Sequence, residues 1–267
     1  MITKEISAGL SGVVPLSSYE NLRPSFTMTV EPENGETADD CFAKIKEILH
    51  RQFDAEANKA KVDLVEKQYE NIRFRERNGK KYPSVTSILD WDKTWRVSPD
   101  ELKQYASRGT IVHKLLEIFL KTGKWENPYE ISELKEDVAI LLGGSLGLSW
   151  EDCAYREFME QYKDKIEVAE TEKTVFNDEH LYSGRYDIKG RFNGVPAIMD
   201  FKTGSFDMRQ LAAYAVCEDD IEVLVALPVG PTDNKCGYKK PVIETKIQDQ
   251  FKEFLRARAK FRARFGV

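Results

Sequence analysis

The stretch SGRYDIKGRFNGVPAIMDFKT, residues 183–203, decides how this chain is read. Asn193-Gly194 at its centre is the preferred dipeptide of a two-residue type I′ hairpin turn, whose central positions both need positive φ. That turn fixes a register in which Phe192 faces Val195 and, five steps out, Asp187 faces Asp200. Strand alternation then predicts one apolar face of Tyr186, Ile188, Phe192, Val195, Ala197, Met199 and Phe201. The other face carries Arg185, Asp187, Lys189, Arg191, Asp200 and Lys202.

Two carboxylates directly across a strand pair repel each other. A cation between them removes the conflict, and Lys202 projects from the same face two residues beyond Asp200. Two aspartates beside a lysine suit a hard divalent ion, Mg²⁺ or Mn²⁺, with an activated water. Lys202 is then placed to orient or deprotonate that water, or to stabilise the transition state. Charged side chains on a hairpin face are ordinarily just solvated, so the reading depends on what surrounds them.

Outward from the hairpin, residues 99–122 predict a strong helix ending near Gly123, with His113 and Glu117 one turn apart on one face. Helices are also expected over 131–142 and 150–163, strands over 167–176, 184–192 and 195–202, and a helix over 206–217 carrying Gln210 and Tyr214 at i and i+4. A strand over 221–227, another over 242–247 and a final helix over 248–265 follow. Pro83 and Ser84 read as a helix start. Residues 1–72 predict a small α+β appendage: a strand over 26–30, a turn at Pro32, Asn34 and Gly35, and a helix over 37–61. Helices followed by a hairpin, a helix and a strand imply an α/β sheet core in residues 73–267 with a helical layer.

Composition sets the outer bounds. The 267 residues hold 40 Lys and Arg against 45 Asp and Glu, a net charge of −5, with 32% charged and 41% hydrophobic. This excludes a collagen, a disulfide miniprotein and a mostly disordered chain. It also excludes holding nucleic acid by bulk positive charge, so any such contact needs a local basic surface. Cys41, Cys153, Cys217 and Cys236 form no CxxC pair, and reduced thiols are expected rather than a zinc knuckle. Lys4 and Glu5 precede a Ser- and Gly-rich stretch with no apolar run of signal-peptide length, and the longest apolar run, 223–227, is too short for a bilayer. The expectation is a soluble cytoplasmic protein of a bacterial cell or a phage-infected host, with no membrane partner.

Four pieces stand in order: Gly109-Thr110-Ile111-Val112-His113, Gly184-Arg185-Tyr186-Asp187, Asp200-Phe201-Lys202, and Gln210 to Tyr214. Together they resemble the PD-(D/E)XK nuclease superfamily in its RecB-like exonuclease branch. The segment at 83–89 is similar to one in mitochondrial genome-maintenance exonucleases and their phage relatives. The resemblance covers about residues 80–265. It implies a restriction-endonuclease-like mixed sheet flanked by helices. It implies that Asp187, Asp200 and His113, with the Phe201 carbonyl, bind Mg²⁺ or Mn²⁺, that Lys202 is the catalytic lysine, and that Gln210 and Tyr214 position the lysine, the water or a DNA phosphate. Glu117 and Glu172 are accessory candidates. The iron–sulfur branch needs a cysteine before the core and three after it, which Cys217 and Cys236 cannot supply, so no iron–sulfur cluster is expected. No GxxxxGK[ST] signature occurs, so any motor is another protein.

The final helix adds Lys252, Arg256, Arg258, Lys260, Arg262 and Arg264 against Asp249 and Glu253, with Phe251, Phe254, Phe261 and Phe265 interleaved. Either the Phe side packs and the bases face water, or the bases flank a DNA channel. Arg73, Arg75, Arg77, Lys80 and Lys81 form a second basic stretch. The leading expectation is a metal-dependent DNA exonuclease acting on single strands or free ends in replication, repair or recombination, with a replication or recombination protein as a partner for the appendage. A restriction-type or structure-specific endonuclease and a catalytically inactive nucleic-acid-binding protein are the alternatives.

Overall fold

The computed structural model describes residues 5–16, 21–33, 35–69, 71–94, 97–145, 150–230 and 240–267, with only the backbone described at 150, 151 and 153. Asn34 and Cys236 therefore lie outside the described residues, as does the side chain of Cys153. Two compact units form: residues up to Trp91 together with Ala259–Val267, and Asp92–Arg258. The division differs from the expected boundary at residue 72, because the segment from 73 to 91 groups with the N-terminal residues.

In the first unit, strands β1 (Ile6–Ser11) and β4 (Ser25–Val30) pair antiparallel from Ile6↔Val30 to Ser11↔Ser25. The short strands β2 (Val14–Pro15) and β3 (Asn21–Leu22) pair between them in sequence. Alternate residues of this ribbon face helix α1 (Ala38–Gln68), whose Cys41, Ile45, Leu49, Val62 and Val65 are buried. Thr37 caps α1 in a reciprocal arrangement with Asp40. The charged segment ahead of Pro83 is a hairpin, β5 (Phe74–Arg77) with β6 (Lys80–Pro83), turned by Asn78 (φ 53) and Gly79 (φ 72). Lys81 of this basic stretch pairs with Asp63 (3.1 Å) and Glu66 (2.6 Å) of α1. Ser84 caps helix α2 (Val85–Asp90).

The second unit is a mixed α/β structure. Helix α3 (Pro99–Thr122) starts with a Ser98/Glu101 capping box and Pro99, and stops at Gly123 in the left-handed conformation. Two single 3₁₀ turns precede α4 (Lys135–Leu142), a shorter α-helix than expected, and α5 (Trp150–Gln161) follows. Strands β7 (Ile166–Asn177), β8 (Tyr182–Phe192) and β9 (Val195–Lys202) form an antiparallel meander. Helix α6 (Met208–Ala215) then carries the chain to β10 (Val223–Pro228), parallel to β9, and β11 (Val242–Glu244) closes the order β11-β10-β9-β8-β7. Helix α7 (Ile247–Phe265) ends the chain. Val112 and Leu116 of α3 and Ala154 and Phe158 of α5 pack with Ile188, Phe192, Met199, Phe201, Val225 and Leu227 of the sheet in one core. Ile111 and Leu115 pack with Leu134, Val138 and Leu141 in a second. No helix among the described residues is long and apolar enough to cross a membrane.

Two corrections to the sequence reading concern the hairpin. The β8–β9 ladder runs in the expected register from Phe192↔Val195 but ends at Ile188↔Met199, so Asp187 and Asp200 are not a ladder pair. The alternation of β8 also changes phase. Tyr182 bonds the Ala213 carbonyl of α6 and Tyr186 bonds Glu218 beyond it, while Ile188 and Phe192 enter the core beneath α3. Tyr186 and Ile188 therefore face opposite sides. Asp187 reaches His113 of α3, so Asp187 and Ile188 both approach α3, while the β7–β8 register is the same on either side of them and shifts between Val168 and Glu170. At the same level Glu172 of β7, between the Thr171↔Ile188 and Lys173↔Tyr186 pairs, has φ 56.

The turn itself keeps its predicted form, with Asn193 at φ 50 and Gly194 at φ 78. Replacing Gly194 by Ala puts a side chain in left-handed backbone and costs about 1–2 kcal/mol. Urea denaturation should show that loss, with Asn193→Gly within about 0.5 kcal/mol of wild type.

Candidate active site

The site lies where β8, β9, α3 and α6 converge. Asp187 and Asp200 are both nearly inaccessible to solvent, at 9% and 3% exposure. The His113 Nδ1 lies 3.2 Å from Asp187 Oδ1 and 3.1 Å from Oδ2. The Phe201 backbone N–H donates to Asp187 Oδ2 at 2.7 Å. The carboxylate thus takes the place of a strand carbonyl where the ladder stops, which is what brings it to the level of Asp200.

Asp200 is held differently. Its Oδ2 is buried and accepts no aligned hydrogen bond; the Lys202 ammonium balances it as an ion pair. Lys202 Nζ in turn donates to Gln210 Oε1 at 2.9 Å, and Gln210 Nε2 donates to the Tyr214 hydroxyl at 2.8 Å. Asp207 caps α6 by accepting from Arg209 N, and so sets the phase that points Gln210 and Tyr214 at the lysine. The Tyr214 ring lies over Gly184, where a Cβ would stand 2.1 Å from its Cε1. Gly184 is therefore needed for close approach and not for backbone freedom.

The electrostatics follow from burial and proximity. Burial raises the pKa of Asp187, but the charge and hydrogen bond of His113, then Lys202 and the Phe201 N–H, outweigh it and hold the acid below its ordinary value. For Asp200, burial and then the charge of Asp187 dominate over Lys202 and His113, and its pKa is raised. Two neighbouring acids with pKa values driven apart is the behaviour of carboxylates sharing one site. Burial disfavours charged His113, yet Asp187 and then Asp200 outweigh it and raise its pKa.

The two accessory candidates are near but not gathered in. Glu172 pairs with Arg185 at 2.9 Å. Burial, with Asp187 and Glu117 adding to it and Arg185 and His113 opposing, pushes its pKa up to about 7. Glu117 is engaged by Lys114 (3.3 Å) and by Lys121 on its own helix. The Thr110 hydroxyl returns to the Ala106 carbonyl and does not enter the site.

The donor set fits a hard divalent cation: two buried carboxylates, one of them engaged only by a lysine ammonium at its buried oxygen, beside an imidazole. Among the described residues no three His, Cys, Asp or Glu side chains stand together as a ready cage. His113 and Lys202 stand beside the two carboxylates, and the Phe201 N–H donates to Asp187.

Sequence reasoning missed Arg108. It is 7% exposed, donates to the Thr203 carbonyl at 3.4 Å and stacks over the Tyr105 ring at 5.0 Å. Burial lowers its pKa to about 10. At Gly109 beside it a Cβ would meet the Thr203 hydroxyl at 3.4 Å, an ordinary van der Waals contact. The signal was an arginine directly before the motif glycine. No protein-family model and no curated protein matches the chain.

The Gly184–Tyr214 contact gives a test of this geometry. Gly184→Ala should destabilise the protein by about 1–3 kcal/mol through overpacking. In a Tyr214→Ala background the same change should cost less than half as much, as read by denaturation of the four proteins of the cycle.

Proposed function

We propose that the chain is a metal-dependent deoxyribonuclease of the PD-(D/E)XK kind, with a restriction-endonuclease-like core, hydrolysing phosphodiester bonds in single-stranded DNA or at DNA ends. The observation that carries this reading is the buried Asp187–Asp200 pair with Lys202 held against Asp200 by Gln210 and Tyr214. Buried like charges cost stability unless compensated, and a strand pair inside a sheet has no structural need for them. Their retention beside an oriented ammonium fits phosphate chemistry better than packing.

Asp187 and Asp200, with His113 beside them, would hold Mg²⁺ or Mn²⁺. A bound ion of that kind supplies charge stabilisation to a phosphate and lowers the pKa of a bound water. The rest belongs to the protein. Gln210 accepts from Lys202 and so fixes the direction of the ammonium, while Tyr214 fixes the amide of Gln210. Held in that direction, the Lys202 ammonium would be placed to orient a water or to stabilise charge developing on the phosphate. Phe201 N–H and His113 keep Asp187 ionised and turned toward the site.

A polyanionic substrate must approach a protein of net charge −5 through local bases. Lys252, Arg256, Lys260 and Arg262 of α7 are exposed. Arg258 is not one of them: it is 4% exposed and donates to the carbonyls of His180 and Leu181 at 3.0 Å each. Phe251, Phe254 and Phe261 are buried, so α7 combines a packed Phe side with an exposed basic side. Action in replication, repair or recombination is part of the proposal.

The test is cleavage of end-labelled single- and double-stranded DNA oligonucleotides in Mg²⁺ or Mn²⁺. Wild type should cut. Lys202→Ala and Asp200→Asn should each lose about 10²–10³-fold in rate, and EDTA should abolish cutting. Retained cleavage by both variants would contradict the assignment.

A further inference from the structure

A cavity of about 470 Å³ opens beside Lys202, within the roughly 300–1,000 Å³ range of ligand sites. Its walls include Lys202, Thr203, Ser205 and Phe206 on one side and Pro228 and Val229 on the other. It lies just past the carboxyl ends of the parallel strands β9 and β10, the usual place for a ligand crevice in such a sheet.

The walls are pinned. Val229 N donates to the Lys202 carbonyl at 2.8 Å. The Tyr162 hydroxyl donates to the Pro228 carbonyl at 2.8 Å, and Glu157, 1% exposed, accepts from Gly230 N at 2.7 Å. Arg108 holds the Thr203 carbonyl. Against this fixed frame Phe206 is 38% exposed, an apolar ring left in water at the cavity's edge.

Charge separates this cavity from two others. One is lined by Glu218, Asp220, Glu222 and Asp249 with Lys246, and another by Glu167, Asp219 and Asp220 with Lys189 and Arg191. Acids outnumber bases in both. The cavity at Lys202 has no acidic side chain in its described lining, and its one charged group is the lysine.

We propose that this cavity takes one unpaired nucleobase of the substrate strand, next to the phosphate at Lys202, stacked on the Phe206 ring. The inference rests on the nuclease reading and names how the strand is seated. Hydroxyls and backbone amides at 203–205 offer polar contacts, and the exposed Phe206 ring offers a flat apolar one. Every base has a π-face, so such a seat tolerates any sequence. A base within a duplex is stacked on both sides and paired, so entry requires an unpaired nucleotide. The site thereby favours single strands or frayed ends.

The experiment compares wild type, Phe206→Ala and Phe206→Tyr on a single-stranded oligothymidylate and on an abasic strand of the same length. Cleavage is followed in Mg²⁺, and binding by fluorescence anisotropy in EDTA. Phe206→Ala should raise KM and weaken binding about tenfold on the thymidylate with kcat little changed, and Phe206→Tyr should restore both. On the abasic strand the variants and wild type should coincide. Wild-type behaviour of Phe206→Ala on the thymidylate, or an equal deficit on the abasic strand, overturns the inference while a cleaving wild type leaves the nuclease reading standing. A wild type that cuts neither strand overturns the nuclease reading, and this inference with it.

Discussion

Two carboxylates buried at the same level of one sheet must be neutralised, and the second unit is arranged around that requirement. Asp187 is met by His113 from α3 and by a main-chain N–H from β9. Asp200 is met by Lys202, which α6 steadies through Gln210 and Tyr214. Each of the four sequence pieces thus has a physical task. Gly184 lets the Tyr214 ring lie on β8. His113 and Lys202 bring the positive charge. The acids respond in opposite directions, Asp187 becoming stronger and Asp200 weaker.

The backbone is distorted where the charges are. The left-handed Glu172 and the change of phase at Asp187 and Ile188 stand at one level of the sheet. Asp187 reaches His113 while Ile188 lies in the core. Residues held in left-handed backbone concentrate at functional sites. The pinned cavity past the ends of β9 and β10 extends the same logic from charge to substrate seating.

Much of this was legible because local signals were strong. Asn193-Gly194 gave the register as far as Ile188, and Ser98, Pro99, Glu101 and Gly123 bounded α3 at both ends. Asn78-Gly79 is the same turn dipeptide, yet the hairpin around it went unread, because Phe74-Arg75-Glu76-Arg77 lacks apolar alternation. Strand β1 was missed for a related reason: its Ser, Ala and Gly residues reveal a face only once β4 and α1 are beside them. The Asp187–His113 contact joins residues 74 positions apart, and no period count of residues 183–192 contains it. Arg258 looked like one more surface base, and only the loop at His180 and Leu181 explains its burial. His113, Asp187, Asp200, Lys202, Gln210 and Tyr214 were named from sequence and do converge. Arg108 and Phe206 were not, since an isolated arginine and a loop phenylalanine carry no periodic signal.

The central claim is that Asp187 and Asp200 form one cation site. Calorimetric titration of Mn²⁺ into the metal-free protein tests it most directly. The account predicts saturable uptake by wild type that disappears in an Asp187→Asn/Asp200→Asn double variant of unchanged circular dichroism. Equal uptake by both proteins, or none by wild type, would contradict it.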